Sequence, residues 1–169
     1  WKGLYELEHA GLKDVQAIRE MRNKLQAQIE KLFWDDANQR WRIIGNSDLY
    51  RPAEFYPDGV AQIYPLIYEF PVKEKKKQKI LYDQFTEKFQ WQKLNKKRNG
   101  FLWAMTGMAA AQMGDINNLV ELIENYETEY CENRKYPLYT GEAGWICMEC
   151  EKLYRLYERK IKTGFILCA

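Results

Sequence analysis

Net charge is nearly absent from this 169-residue sequence: 26 basic side chains stand against 24 acidic ones, leaving +2. That balance gives no electrostatic reason to expect a nucleic-acid partner. The basic runs Lys73–Lys79 and Lys93–Arg98 read as a solvated helix face and as a loop that could grip an anionic sugar. No apolar run reaches the roughly 18–20 residues that a membrane span needs, so the chain reads as soluble, without a membrane partner. Histidine is scarce too, with His9 alone, and the four cysteines (Cys131, Cys147, Cys150, Cys168) lack the regular spacing of a disulfide scaffold. Cys147 and Cys150 form a Cys-x-x-Cys without a second pair, too few ligands for structural zinc. They are expected to be core thiols on a helix, and neither a metal nor a cofactor is expected. Neither an initiator Met nor a basic-then-apolar leader precedes Trp1, which suggests a processed or truncated product. The cysteines do not fix a compartment; a secreted or cell-surface location is preferred over a cytoplasmic one.

Aromatic residues, by contrast, are abundant: 15% of the chain, with 6 Trp and 12 Tyr. Tyr and Trp are amphipathic, and this surplus suits half-wet binding surfaces. Apolar periodicity predicts helices. Trp1, Leu4 and Leu7 precede a break near Gly11, and Val15, Ile18, Leu25, Ile29 and Leu32 mark one stripe of a long helix. Asp35 to Asp58 reads as a long loop, with Pro52 and Pro57 opposing a helix. Gly59 to Phe70, carrying only Glu69 as a charge, reads as a helix surrounded by protein and ended by Pro71. Its partner, Val72 to Phe89, sets Leu81, Phe85 and Phe89 on one side. The uncharged stretch Gly100 to Met113 predicts a second buried helix, with Gly114 as its stop and Asp115 as the N-cap of an amphipathic helix carrying Leu119, Leu122, Ile123, Tyr126 and Tyr130. A last helix starts at Gly141 or Glu142 and ends at Gly164. Buried helix, short turn and exposed helix thus recur at about 40 residues, a spacing of helix-pair arrays.

If the buried helices form an inner layer, they all point the same way and their entry loops gather at one end, the natural site. Those entries carry Trp34, Trp41, Tyr50, Phe55, Tyr56, Trp91, Tyr136 and Tyr139, with Trp103 and Trp145 one turn in. Sugar rings stack on such side chains, while their hydroxyls seek polar groups such as Asp48, Arg51, Glu54, Gln62 and Asn99. Asp58 and Glu142 stand at the first turns of uncharged helices. Glycoside hydrolysis commonly uses two carboxyl groups flanking the scissile bond. The competing reading is that both carboxylates are helix caps.

The stretch Phe55-Tyr56-Pro57-Asp58-Gly59-Val60-Ala61-Gln62-Ile63-Tyr64-Pro65, the later Gly141-Glu142-Ala143-Gly144-Trp145 and the Met113-Gly114-Asp115 turn resemble the C-terminal half of six-hairpin (α/α)6-toroid glycosidases, in particular bacterial relatives of glycoside hydrolase family eight. The resemblance implies an all-α fold of inner and outer helix layers. Residues 1–169 would form one α/α-toroid domain or the C-terminal half of one, an incomplete barrel of about seven helices. It implies a glycoside hydrolase acting on a poly- or oligosaccharide, with a glucan preferred, by carboxylate acid/base catalysis. Asp58 and Glu142 would be catalytic; Tyr56, Gln62, Trp41, Trp91, Trp103, Tyr139, Trp145, Arg51 and Asn99 would bind substrate. In that family the proton-donating Glu comes from the N-terminal half, so the partners expected are a carbohydrate and the missing half of the same ring. The alternatives are a non-catalytic carbohydrate-binding domain and a helical-repeat scaffold for protein partners.

Overall fold

A computed structural model of the chain describes all residues except 12–14, 46, 48, 52, 72–74, 94–102, 133–139 and 168–169, and the side chains of residues 131, 160 and 162–167. The described residues are mostly helical with little strand, so the all-α class is correct. The chain divides into two compact units, Trp1–Leu81 and Tyr82–Ala169.

The first unit opens with α1 (Lys2–His9) and α2 (Gln16–Phe33), the hairpin expected around Gly11, whose φ of +74° ends the first arm. Glu8 joins the two helices, meeting Arg19 Nε and Arg22 at 2.7 Å each. After α2 the backbone turns into a two-residue antiparallel ribbon, β1 (Trp34–Asp35) paired with β2 (Arg40–Trp41). The sequence reading had only loop there. The ribbon is held by the Asp35 carboxylate, which accepts from the Asn38 backbone N–H at 3.2 Å and from the Asn38 amide at 2.9 Å, closing an Asx-type turn.

The helix expected over Gly59 to Phe70 is not continuous. A wide turn over Phe55–Gly59 leads through Val60 and Ala61 into a single turn, α3 (Tyr64–Ile67). Pro65 lacks an N–H, and Gln62 and Ile63 bond three residues back, to Gly59 and Val60, in place of a continuous ladder. The segment ends before Pro71: Glu69 takes a left-handed φ of +52° while Phe70 N–H reaches back to the Pro65 carbonyl at 2.7 Å, a Schellman closure. The expectation of burial is met over most of the segment, with Val60, Ile63, Leu66 and Ile67 buried, but not all round, since Tyr68 is exposed.

Helix α4 (Lys75–Phe89) contributes its first residues to the first unit and the rest to the second, with Leu81, Phe85 and Phe89 buried as its stripe predicts. The second unit continues with a 3-10 turn (Trp91–Lys93), α5 (Thr106–Met113), α6 (Ile116–Tyr126), a wide turn (Glu127–Glu132) and α7 (Thr140–Leu167). Described helix in the uncharged stretch begins only at Thr106. Gly114 is left-handed at φ +68°, and Asp115 caps α6 through the Asn118 N–H at 3.3 Å, both as read from sequence. A residue with a Cβ would strain that φ. Tyr82 also donates to the Asp115 carboxylate at 2.8 Å, tying α4 to the cap. Gly164 does not end α7, which runs on to Leu167; an interior glycine costs a helix only about 1 kcal/mol.

Helix α5 packs against both α6 and α7. Leu119, Leu122 and Tyr126 are buried on α6, and Met108, Ala109 and Ala110 on α5. The core-thiol expectation is overturned: Cys147 and Cys150 are free and exposed. The buried face of α7 is centred instead on Glu149, and the two cysteines flank that residue on a different face.

Candidate functional site

The first unit contains a cavity of about 450 Å³. Its walls come from the start of α1 (Trp1, Lys2, Gly3), the end of α2 (Ile29, Phe33), the strand β2 and its continuation (Trp41, Arg42, Ile43) and the Ala61–Phe70 segment (Tyr64, Pro65, Tyr68). The aromatic walls brace one another: Phe70 stands edge-on to Trp1 at 5.6 Å and to Trp41 at 6.2 Å between ring centres. The two cations at the walls are neutralised within the protein. Lys2 bonds Glu69 and pairs with Glu6 at 2.8 Å, and Arg42 lies 3.6 Å from the Asp35 carboxylate. The indole Nε1 of Trp1 is buried without a hydrogen-bond acceptor. A recess lined by rings, with its cations paired inside the protein, suits a neutral ligand with an apolar face.

Trp41 is the one sequence-predicted binding residue on this wall, and another, Gln62, is hydrogen-bonded to its backbone. Gln62 is buried and its amide is fully engaged: Oε1 accepts from Trp41 N–H at 2.8 Å, and Nε2 donates to the carbonyls of Trp41 at 2.9 Å and Asp58 at 3.0 Å. Gln78, from α4, accepts from the Trp41 indole at 3.1 Å and donates to the Gln62 carbonyl at 2.8 Å. Gln62 therefore sets the position of Trp41, and its polar contacts are internal. Asp58, 2% exposed, accepts the Arg51 backbone N–H at 2.7 Å, which fixes the base of the loop that presents Tyr56, 54% exposed. The Arg51 side chain is exposed and meets Glu54 at 3.5 Å.

In the second unit Trp91 is buried, its indole donating to Thr86 at 2.9 Å. Trp103 and Trp145 are half-buried. Glu142 is half-buried and receives the Tyr130 hydroxyl at 3.1 Å, while Tyr130 stacks on Tyr126 at 5.1 Å. Asn99 and Tyr139 lie outside the described residues, as does Asp48. Asp58 belongs to the first unit and Glu142 to the second.

Sequence reasoning missed Glu149. It is fully buried at 0% exposure, and its carboxyl lies against Gly107 so closely that an added Cβ there would collide with it. Burial pushes its pKa well above the usual carboxylate range, and the N–H groups of Gly107 and Met108 offset that only in part. Neither oxygen has a complete hydrogen bond. Burial therefore favours the protonated form of this carboxyl, which lies at the N-terminal turn of α5. Its signal was present in the sequence: Glu149 sits between Trp145 and Leu153 at i±4 on the apolar face of α7. Burial also raises the thiol of Cys150. The cavity rings Trp1, Tyr64, Tyr68 and Phe70 were passed over because they come from two segments far apart in the chain.

Among the described residues no group of three His, Cys, Asp or Glu side chains could hold a metal ion, and no helix is long and apolar enough to cross a membrane. Comparison of the chain with protein-family models, with curated proteins and with solved structures finds no match in any of the three.

Proposed function

We propose that this chain is part of a glycoside hydrolase built from α/α hairpins, and that its first unit holds a neutral sugar of a poly- or oligosaccharide chain. The observation that carries this reading is the cavity walled by the rings of Trp1, Trp41 and Tyr64. Pyranose faces are apolar and stack on such rings. The quoted resemblance to six-hairpin toroid enzymes supports the same class, with the remaining hairpins of the ring as partner. Within it, Asp58 and Glu142 are the carboxylates assigned to catalysis. Glu142, half-buried and held by a phenol, is the more accessible of the two, whereas Asp58 orders the loop that carries Tyr56.

The test is twofold. Tryptophan fluorescence of the chain is titrated with neutral gluco-oligosaccharides, in the parent and in Tyr64→Ala; saturable quenching weakened by the substitution is expected. Sugar release by the complete gene product is then compared with its Asp58→Asn and Glu142→Gln variants. Binding without any turnover would convert the reading to a non-catalytic carbohydrate-binding domain. Absence of both would end the carbohydrate assignment.

One observation favours a second reading, a helical scaffold for protein partners. Tyr154, Tyr157 and Ile161 are spaced by three and four residues on one face of α7 and are 64%, 46% and 58% exposed. That spacing suits another helix laid alongside. Full-length toroid hairpins would serve as that helix under the leading reading, and a foreign protein under this one.

A further inference from the structure

We infer that Cys147 and Cys150 form a two-thiolate site for a soft cation of low coordination number, with copper(I) as the ion whose preferences it meets. The two residues are three apart on α7, so their side chains leave the helix on the same side, with Cβ atoms about 5–6 Å apart. Both are free thiols and both are exposed, although free cysteine is among the most buried residue types. Two exposed thiols on one face are thus unusual as packing and suitable as ligands.

Geometry separates this site from a redox disulfide. A disulfide needs Cβ atoms about 3.5–4.5 Å apart, closer than a regular helix sets them. Here the helix continues on both sides of the pair, from Thr140 to Leu167, so the backbone resists closing that gap. A metal with sulfur bonds of about 2.3 Å spans a sulfur separation of up to about 4.6 Å, which rotation about the two Cα–Cβ bonds reaches without moving the helix. The choice of ion follows from the ligand count. Glu149, between the two, is turned inward and buried, and no third metal-ligating side chain joins a cluster among the described residues. Tetrahedral zinc would want four ligands, whereas copper(I) is soft, prefers thiolates and is satisfied by two. On binding, each thiol gives its proton to the buffer and forms one sulfur–copper bond; no electrons move, because the metal is supplied already reduced.

The experiment is an anaerobic titration of the reduced full chain with copper(I) in competition with a chromophoric bathocuproine chelator. The expected result is removal of one equivalent of copper from the indicator. That equivalent disappears in Cys147→Ser and again in Cys150→Ser, and remains in the double variant Cys131→Ser, Cys168→Ser. Both proposed ligands are exposed, so the serine variants should keep the parent's far-ultraviolet helicity, which is recorded alongside. As a second readout, bound copper should protect two fast-reacting thiols of the parent from Ellman's reagent. The assignment is overturned if the parent takes no copper, if either single serine variant takes as much as the parent, or if the Cys131, Cys168 double variant loses it. Saturation at half an equivalent with a dimer in sedimentation would also overturn it, in favour of a four-thiolate site shared by two copies.

Discussion

The side-chain amide of Gln62 is joined to the backbone of Trp41 by two hydrogen bonds, one accepted at 2.8 Å and one donated at 2.9 Å, the pairing that a neighbouring strand would otherwise make. This is how a two-residue ribbon is held in place beside a cavity, and it makes Gln62 a positioning residue for a wall of that cavity.

Removing the Gln62 amide leaves two buried backbone groups of Trp41 without partners. Gln62→Ala should lower stability by about 2–4 kcal/mol, near the sum of two desolvation penalties and well above the value of one ordinary hydrogen bond. Gln62→Glu should fall short of the parent too, because the carboxylate keeps the acceptor and loses the donor. Urea unfolding followed by Trp fluorescence measures both; an unchanged midpoint in Gln62→Ala would exclude the clamp.

At Gly107 two effects oppose each other. A Gly→Ala change inside a helix gains about 1 kcal/mol of propensity, but here the new methyl meets the buried Glu149 carboxyl, and overpacking costs about 1–3 kcal/mol. Gly107→Ala alone should therefore be neutral to destabilising. In a Glu149→Ala background, with the obstruction gone, the same change should stabilise. A double-mutant cycle by denaturant unfolding reads the sign reversal, and strictly additive effects would refute the contact.

Glu149 also sets a pH dependence. Its pKa in the folded protein is raised above the unfolded value near 4.5. Below that value the group is protonated in both states and its packing is fully retained. As pH rises, the unfolded chain ionises first, so stability falls until pH passes the folded value. Glu149→Gln should remove this slope, making the variant more stable than the parent at pH 8, with the difference shrinking toward pH 4. Parallel stability curves would show that the carboxyl is already ionised in the fold.

On the acid side the sign is opposite. Asp35 is held below its usual pKa chiefly by the Asn38 side-chain amide, and Glu8 chiefly by Arg19. Their contributions are present above the unfolded values of 3.8 and 4.5 and are lost as pH falls through the folded ones. Asp35→Asn and Glu8→Gln should each flatten the decline of stability below about pH 4.5 while lowering stability at neutral pH. Helicity and Trp fluorescence followed from pH 6 to pH 2 distinguish the variants from the parent.

Most helices were legible because each carries a local signal. The α1–α2 hairpin follows from apolar spacing and a left-handed Gly11, and the α5–α6 turn from Gly114 and the Asp115 cap. The segment after Asp58 was not legible as broken: apolar composition reports burial, and it was indeed buried, but Pro65 and the bonding of Gln62 decide whether the backbone completes a helix. Cys147 and Cys150 failed for a related reason, since residue type reports average burial and not which face of α7 meets α5.

The sequence by itself determined the helical class, the hairpin punctuation and the apolar stripes, because hydrophobic period, caps and left-handed glycines act within a few residues of one another. Only the tertiary structure decided that Trp1, Trp41 and Tyr64 wall one cavity, that Gln62 serves a backbone, and that the Glu149 carboxyl is buried against Gly107. Those relationships join residues separated by many turns of chain. Their energies depend on burial and on which partners arrive, and neither is written in any local stretch of sequence.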